Sequence, residues 1–281
     1  MSVDGLLALH SYRGGAATST PLVLLHGFPF DHRMWDDVVD LLPGSRAVLA
    51  PDLPGLGSSP SGADVAAALG APAAPSIETA SDAVAAALRA AGIARAVVAG
   101  LSMGGYVAMA LVERHPGLVA GLALLDTKST ADDDAARANR LRIAAAVLAE
   151  GDVDAVVGMA EVLLGATSRA SRRDLVDRLT AWIRDQGPAG VAWSQRAMAA
   201  RGDRTGALEG FARPALVLVG AQDDITPLAA AQHLEGALAT AGEVELVVVA
   251  RAGHMSAVEN PEPVAAALDA LALRVDALQA R

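Results

Sequence analysis

Three residues that together support nucleophilic catalysis occur along the chain in the order serine, aspartate, histidine. They are Ser102, Asp223 and His254. A serine hydroxyl becomes a nucleophile when a histidine takes its proton, and a carboxylate fixes the tautomer of that histidine and stabilises the imidazolium. The three residues are therefore the candidate nucleophile, general base and orienting acid of a hydrolytic site.

The surroundings of Ser102 predict a sharp turn between a strand and a helix. The apolar run Ala96–Ala99 ends at Gly100, and the helix-like segment Tyr106–Arg114 follows the serine. Gly-x-Ser-x-Gly in this context is the pattern of a nucleophile elbow. We expect the turn to require glycine at positions 100 and 104, because a Cβ on Gly100 or Gly104 would collide with the turn.

A tetrahedral intermediate also needs fixed hydrogen-bond donors for its oxyanion. The backbone N–H of Met103 lies at the predicted start of the helix, where the helix dipole favours negative charge. The backbone N–H of Phe28 lies on the loop after the apolar run Pro21–Leu25. We therefore predict these two groups as the oxyanion hole.

Apolar runs that alternate with helical patterns predict the elements that position these residues. Such alternation indicates an α/β fold with a doubly wound parallel sheet, whose loops at the carboxyl ends of the strands share one edge. Asp223 and His254 each follow such a run. The predicted strands are Leu6–Tyr12, Pro21–Leu25, Ala47–Ala50, Ala96–Ala99, Val119–Leu125, Ala215–Val219 and Glu245–Val249.

The rhythm of strands stops at Lys128 and returns at about residue 214. Between them the pattern is helical, which predicts that residues 128–213 form a cap or lid over the carboxyl edge of the sheet. Residues 1–127 and 214–281 then form the core. Pro60–Pro75 is rich in Ala, Gly, Pro and Ser, and we interpret it as a surface loop with at most one alanine-rich turn. Ser76 is the expected N-cap of the next helix.

The composition excludes several classes of function. No cysteine is present among the 281 residues, which excludes disulfides, thiolate metal sites and cysteine catalysis. The net charge of -10 disfavours nucleic acid and membrane surfaces as partners. Met1–His10 lacks the features of a signal peptide, and no stretch is apolar enough to span a bilayer. We expect a cytoplasmic protein with a small-molecule substrate; the oligomeric state is left open.

Several of these stretches occur together in one family, and the chain resembles the α/β-hydrolases over nearly its full length. The matching stretches are His26–Pro29, Asp52–Ser59, the elbow at Ser102, Gly220-x-x-Asp223 with Pro227, and Gly253–Met255. The resemblance implies an eight-stranded, mostly parallel sheet with helices on both faces and a helical cap. Gly-Leu-Ser-Met-Gly-Gly and His-Gly-Phe-Pro are similar to carboxylesterases and to the 3-oxoadipate enol-lactonase-like branch.

The resulting hypothesis is a serine hydrolase that cleaves a carboxylic ester or lactone through an acyl-enzyme, with no cofactor and no metal. A serine at the elbow argues against haloalkane dehalogenases and epoxide hydrolases, whose members place an aspartate there. The alternatives on the same triad are a C–C hydrolase, a perhydrolase or haloperoxidase-type enzyme, and an acyltransferase. A non-catalytic, ligand-binding member of the fold is a further alternative.

Other residues compete for some of these roles. Asp126 follows a predicted strand at a place where some relatives carry the acid, but Asp223 stands four residues before Pro227 as the family pattern has it, and Asp224 would point elsewhere. Asp126 is expected to brace the start of the lid. The candidate substrate-binding residues are Phe30, Trp182, Trp193 and Met255. The two tryptophans lie in the predicted lid, where packing between lid helices is an equally good explanation.

Overall fold

The computed structural model describes residues 6–15, 19–240 and 242–279. Within this part of the chain seven strands form one sheet in the order β1-β3-β2-β4-β5-β6-β7. β1 is antiparallel to β3, and the other neighbours are parallel. The strands are β1 Leu9–Arg13, β2 Leu22–Leu25, β3 Val48–Pro51, β4 Ala96–Leu101, β5 Val119–Leu125, β6 Ala215–Gly220 and β7 Val244–Val249.

The mostly parallel α/β sheet is confirmed, but the expected eighth strand is not among the described residues. The seven predicted apolar runs correspond to the seven strands, whereas the number eight came from the family resemblance alone. Every residue of β2 to β6 is buried, because helices cover both faces of the sheet. The helices outside residues 128–213 are α1 Asp36–Leu41, α2 Gly62–Leu69, α3 Ile77–Ala90, α4 Met103–Arg114, α12 Leu228–Leu238, α13 Ser256–Glu259 and α14 Pro261–Gln279, with a 3-10 turn at His32–Trp35.

The interpretation of residues 60–75 as a surface loop with at most one alanine-rich turn underestimates the helix in this stretch. Gly62–Leu69 forms helix α2, whose N-terminus is capped by the Ser61 hydroxyl as it accepts a hydrogen bond from the Asp64 N–H. The four alanines in the helix favour this conformation, and Gly70 ends it with a φ of 64°. The predicted cap at Ser76 is confirmed, since its hydroxyl accepts a hydrogen bond from the backbone N–H of Thr79.

Residues 128–213, all of which the structure describes, contain helices and no strand, and we call this segment the cap. It is inserted between β5 and β6. Across the described residues no helix is both long and apolar enough to cross a bilayer. The cap helices are α5 Asp134–Glu150, α6 Asp154–Val157, α7 Met159–Val162, α8 Ala166–Ser171, α9 Arg173–Arg184, α10 Pro188–Ala200 and α11 Thr205–Glu209.

Helix α10 of the cap lies directly against the loop that follows β3. A Cβ added to Gly190 would lie 1.7 Å from the carbonyl oxygen of Gly55, so the two backbones touch. Beside this contact, the side-chain amide of Gln186 donates a hydrogen bond to Asp31 (2.8 Å) and accepts one from the N–H of Gly57 (2.9 Å). The cap is therefore fastened to the core at this end.

The contact between Gly190 and Gly55 predicts that a single methyl group will disturb the cap. We expect Gly190→Ala to lower the free energy of unfolding by about 1–3 kcal/mol, because the carbonyl it meets belongs to backbone that cannot move aside cheaply. Gly158→Ala is the matched control, since Gly158 has a helical backbone and nothing within 4 Å of an added Cβ. Urea unfolding measures the free energy of unfolding of both variants. Equal values for Gly190→Ala and Gly158→Ala would contradict the contact.

Candidate active site

Ser102, His254 and Asp223 form one chain of hydrogen bonds at the carboxyl edge of the sheet. The Ser102 Oγ lies 2.8 Å from the His254 Nε2, and the His254 Nδ1 lies 2.9 Å from the Asp223 Oδ2. His254 and Asp223 are 4% and 5% exposed, whereas Ser102 is partly open to solvent. The geometry allows the histidine to take the serine proton while the carboxylate holds the opposite ring nitrogen.

Ser102 has a backbone conformation that few non-glycine residues adopt, with φ 53° and ψ -111°. Two close approaches impose this turn between β4 and α4. A Cβ on Gly100 would lie 2.2 Å from the carbonyl oxygen of Gly104, and one on Gly104 would lie 2.1 Å from that of Leu25. A Cβ on Gly100 would meet the turn itself, as predicted, whereas a Cβ on Gly104 would meet the end of β2. The turn directs the serine away from the sheet.

The two predicted oxyanion donors belong to segments close to this turn. Met103 is the first residue of α4, and the loop carrying Phe28 passes so close that a Cβ on Gly27 would lie 3.6 Å from the Ser102 Cβ. Among the described backbone hydrogen bonds outside helices and strands, none is donated by Phe28 or Met103. Their role as the oxyanion hole stays a prediction, which this placement supports.

His26 fixes the shape of the Phe28 loop. Its Nε2 accepts a hydrogen bond of 2.8 Å from the N–H of Leu53, and its Nδ1 lies 3.0 Å from the carbonyl oxygen of Gly27. Complete burial lowers the pKa of His26 below its ordinary value, so the ring is neutral. The ring joins the loop after β2 to the loop after β3.

Asp223 receives more hydrogen bonds than the sequence indicated. Its Oδ1 accepts from the backbone N–H groups of Ile225 (2.8 Å) and Thr226 (2.9 Å), and the Thr226 hydroxyl donates to its Oδ2 (2.7 Å). Burial alone would raise the pKa of Asp223, but the hydrogen bonds from His254 and Thr226 outweigh it and lower the pKa. Thr226 is a supporting residue that sequence reasoning missed; the Asp-x-x-Thr spacing was the available signal.

Asp126 lies close to the site but forms its hydrogen bonds with groups other than His254. Its carboxylate accepts from the N–H of Gly220 (2.8 Å) and from the hydroxyl of Ser256 (2.5 Å). It therefore braces the loops that carry Asp223 and His254 rather than the start of the cap. Burial, together with the negative charge of Asp223, raises the pKa of Asp126 to about 7.

The four candidate substrate-binding residues do not form one group. Phe30 and Met255 are 0% and 1% exposed, so neither presents surface to a substrate in this conformation. Trp182 packs edge-on against Phe30, with ring centroids 6.4 Å apart. Trp193 covers Gly62, where an added Cβ would lie 2.3 Å from the indole. These contacts are packing contacts, and a substrate role for the four residues stays a prediction.

One set of metal-ligating side chains occurs among the described residues, at His10, His32 and Asp52. The His10 Nε2 and the His32 Nδ1 each lie 2.9 Å from an oxygen of Asp52. The two rings are stacked, with centroids 3.4 Å and planes 13° apart. An ion bound by both nitrogens would have to lie in both ring planes, which nearly parallel rings do not permit. The geometry is instead that of two histidines, each forming a hydrogen bond with the one buried carboxylate of Asp52.

The environment of Asp126 predicts a pH-dependent stability. Because its folded pKa lies above that of an unfolded carboxyl, the folded protein holds this proton more tightly. Its contribution to the free energy of unfolding therefore falls as pH rises from about 4 to about 7, by roughly 1.4 kcal/mol per unit. Asp126→Asn has no such proton. As pH rises over this window, the free energy of unfolding of this variant should therefore rise relative to that of the native chain. Urea unfolding at pH 5, 6, 7 and 8 tests this, with the exposed Asp224→Asn as control; a constant difference for Asp126→Asn would contradict it.

Known esterases are similar to this chain in sequence and in fold. A curated relative, the pimeloyl-[acyl-carrier protein] methyl ester esterase of Aromatoleum aromaticum, is 30% identical over 88% of this chain and 96% of its own. A thermophilic esterase from Thermogutta terrifontis superposes with a TM-score of 0.85 at 30% identity, covering 96% of this chain and 94% of that one.

The fold also matches the enol-lactonase of Burkholderia xenovorans LB400, with a TM-score of 0.77 at 24% identity over 94% of this chain and 96% of that one. At this identity the match supports the fold alone. The sequence profile of the alpha/beta hydrolase fold covers residues 20–261, from the start of β2 to the start of α14. The chain belongs to the alpha/beta hydrolase fold family.

Proposed function

We propose that this protein is a carboxylic ester hydrolase that works through an acyl-enzyme on Ser102. The observation that carries the proposal is the continuous chain of hydrogen bonds from Ser102 through His254 to Asp223. The esterases to which the chain is similar support carboxylic ester hydrolysis as the class of reaction. The substrate we propose is a small-molecule ester or lactone.

The site can perform both halves of the reaction with its own groups and water. In the first half the Ser102 Oγ attacks the ester carbonyl carbon as its proton passes to the His254 Nε2. The tetrahedral intermediate then expels the alcohol, which leaves with that proton, and the acyl group stays on Ser102. In the second half His254 takes a proton from water, the hydroxide attacks the acyl carbon, and the acid leaves as the proton returns to Ser102.

The surrounding groups stabilise the charges that appear during these steps. The N–H groups of Phe28 and Met103 are the proposed donors to the oxyanion, and each such donor typically contributes about 10²–10³-fold to turnover. Asp223, held as a carboxylate by its four donors, stabilises the imidazolium of His254. For a lactone the chemistry is the same, except that the alcohol stays attached to the acyl group and is freed only on deacylation.

A second candidate substrate is an ester carried on an acyl-carrier protein. It is favoured by the 30% identity to a pimeloyl-[acyl-carrier protein] methyl ester esterase whose length the chain almost fully covers. The chemistry at Ser102 would be unchanged, because a methyl ester yields methanol and a carboxylate by the same two half-reactions. Comparing turnover of one methyl ester free and attached to a carrier protein separates the two candidates.

The direct test is hydrolysis of 4-nitrophenyl esters from acetate to octanoate by the native chain and by Ser102→Ala. We expect the variant to lose turnover by roughly a thousandfold or more, because no other group in the site can carry the acyl chain. Ser171→Ala, which changes an exposed serine of the cap, is the matched control and should retain activity. The acyl chain length that gives the highest kcat/KM indicates the length of the acyl pocket.

Labelling by a fluorophosphonate probe gives a second readout that does not depend on the choice of ester. Mass spectrometry should place the label on Ser102 in the native chain and in Ser171→Ala. Ester hydrolysis that persists unchanged in Ser102→Ala would rule out the proposed nucleophile.

A further inference from the structure

Glu259 lies at the end of the short helix that follows His254, and its buried carboxylate accepts only backbone N–H groups. The Oε1 accepts from Gly253 at 2.7 Å and from Met255 at 3.3 Å, while the Oε2 accepts from Gly165 at 2.8 Å. Gly253 and Met255 flank the histidine, and Gly165 belongs to the cap. One side chain thus joins the histidine loop to the cap.

The cap also contacts His254 directly. The backbone N–H of His254 donates a hydrogen bond of 2.9 Å to the carbonyl oxygen of Leu163. Next to it the backbones of Gly165 and Gly253 touch, since a Cβ on Gly253 would lie 2.2 Å from the nitrogen of Gly165. The peptide groups before, at and after the histidine are therefore all held, two by Glu259 and one by the cap.

The same cap segment reaches the loop of the catalytic acid. Gln222, the residue before Asp223, accepts a hydrogen bond from the N–H of Thr167 (2.9 Å) and donates one to the Thr167 hydroxyl (2.8 Å). We call residues 163–167 the cap anchor. The cap anchor therefore contacts both catalytic loops at positions directly adjacent to the catalytic side chains.

We propose that Glu259 is a positioning residue that holds His254 in line with Ser102 by joining its loop to the cap anchor. The proposal rests on the function proposed above, because it concerns the same triad. Only a carboxylate suits this position, since all three groups that face it are donors. A glutamine would turn its NH₂ toward at least one of them, leaving a buried N–H without an acceptor. The loop would then shift, and the 2.8 Å contact between His254 and Ser102 with it.

The test compares Glu259→Gln with Glu262→Gln in the 281-residue chain. Glu262 is the matched control, because it loses the same charge three residues further on and its side chain is exposed. The first readout is ¹⁵N NMR of labelled histidines, with His254 assigned from the His254→Gln spectrum. In the native chain and in Glu262→Gln we expect one tautomer, protonated at Nδ1 toward Asp223. In Glu259→Gln we expect the two tautomers to be mixed.

The second readout is turnover of a 4-nitrophenyl ester. We expect kcat of Glu259→Gln to fall by roughly tenfold to a hundredfold with little change in KM, because misplacing the base affects the transition state more than binding. Glu259→Asp keeps the acceptor oxygens on a shorter side chain, so it should recover part of the loss. If Glu259→Gln does not fold, Glu259→Asp tests the proposal instead. It must then show a lower kcat than the native chain and a partial mixture of the two His254 tautomers.

A native tautomer and a native kcat in folded Glu259→Gln would overturn the proposal. Failure of the proposed function gives a different pattern, in which the native chain and Glu262→Gln both lack ester turnover. In that case the tautomer of His254 in Glu259→Gln still decides whether Glu259 positions the histidine.

Discussion

The strained backbone at Ser102 is the constraint on which the rest of the site depends. A φ of 53° is unfavourable for serine, and the fold sustains it because the chain before and after the turn is in backbone contact through Gly100 and Gly104. Ser102 also donates its own N–H to the carbonyl of Leu125, and Thr127 donates its hydroxyl to the Ser102 carbonyl. The position of Ser102, the proposed nucleophile, is thus set by the packing of β2, β4 and β5, which are buried throughout.

Buried carboxyl groups are the second recurring device, and each accepts at least three hydrogen bonds. Asp52, Asp126, Asp223 and Glu259 all lie at the carboxyl edge of the sheet, and all are less than 9% exposed. Burying an acid is unfavourable unless hydrogen bonds replace its water, and here backbone N–H groups supply most of them. Each carboxylate joins segments that are far apart in sequence. The acids therefore arrange the loops around His254, the proposed general base.

The sequence predicted the parts of this architecture that depend on local pattern. Five continuous apolar runs located β2 to β6 to within a few residues, because parallel strands buried on both faces leave no polar alternation. Ser102, Asp223 and His254 could be found since each follows such a run. The helix at Gly62–Leu69 was missed, because alanine next to glycine and proline fits a loop as well as a helix.

The contacts that depend on the cap could not be predicted in this way. The partner of Glu259 lies 94 residues earlier in the chain, and no local pattern indicates that Gly165 will meet it. Phe30 and Met255 were plausible as pocket residues, yet their burial is decided by how neighbouring segments close over them. The role of Asp126 as a brace between two loops likewise follows from the order of strands β5, β6 and β7 and the α13 loop, which only the folded chain reveals.

The attachment of the cap at both ends has a consequence for protein engineering. Exchanging cap domains between relatives is an attractive way to transfer substrate preference, since the cap is one continuous insertion between two strands. In this protein a transplanted cap would have to supply a free carbonyl where Leu163 stands and a backbone without a side chain where Gly165 and Gly190 stand. A chimera that joins the segments only at residues 128 and 213 would omit these contacts. The unit that can be exchanged is the cap together with the three loops on which it rests, those after β3, β6 and β7.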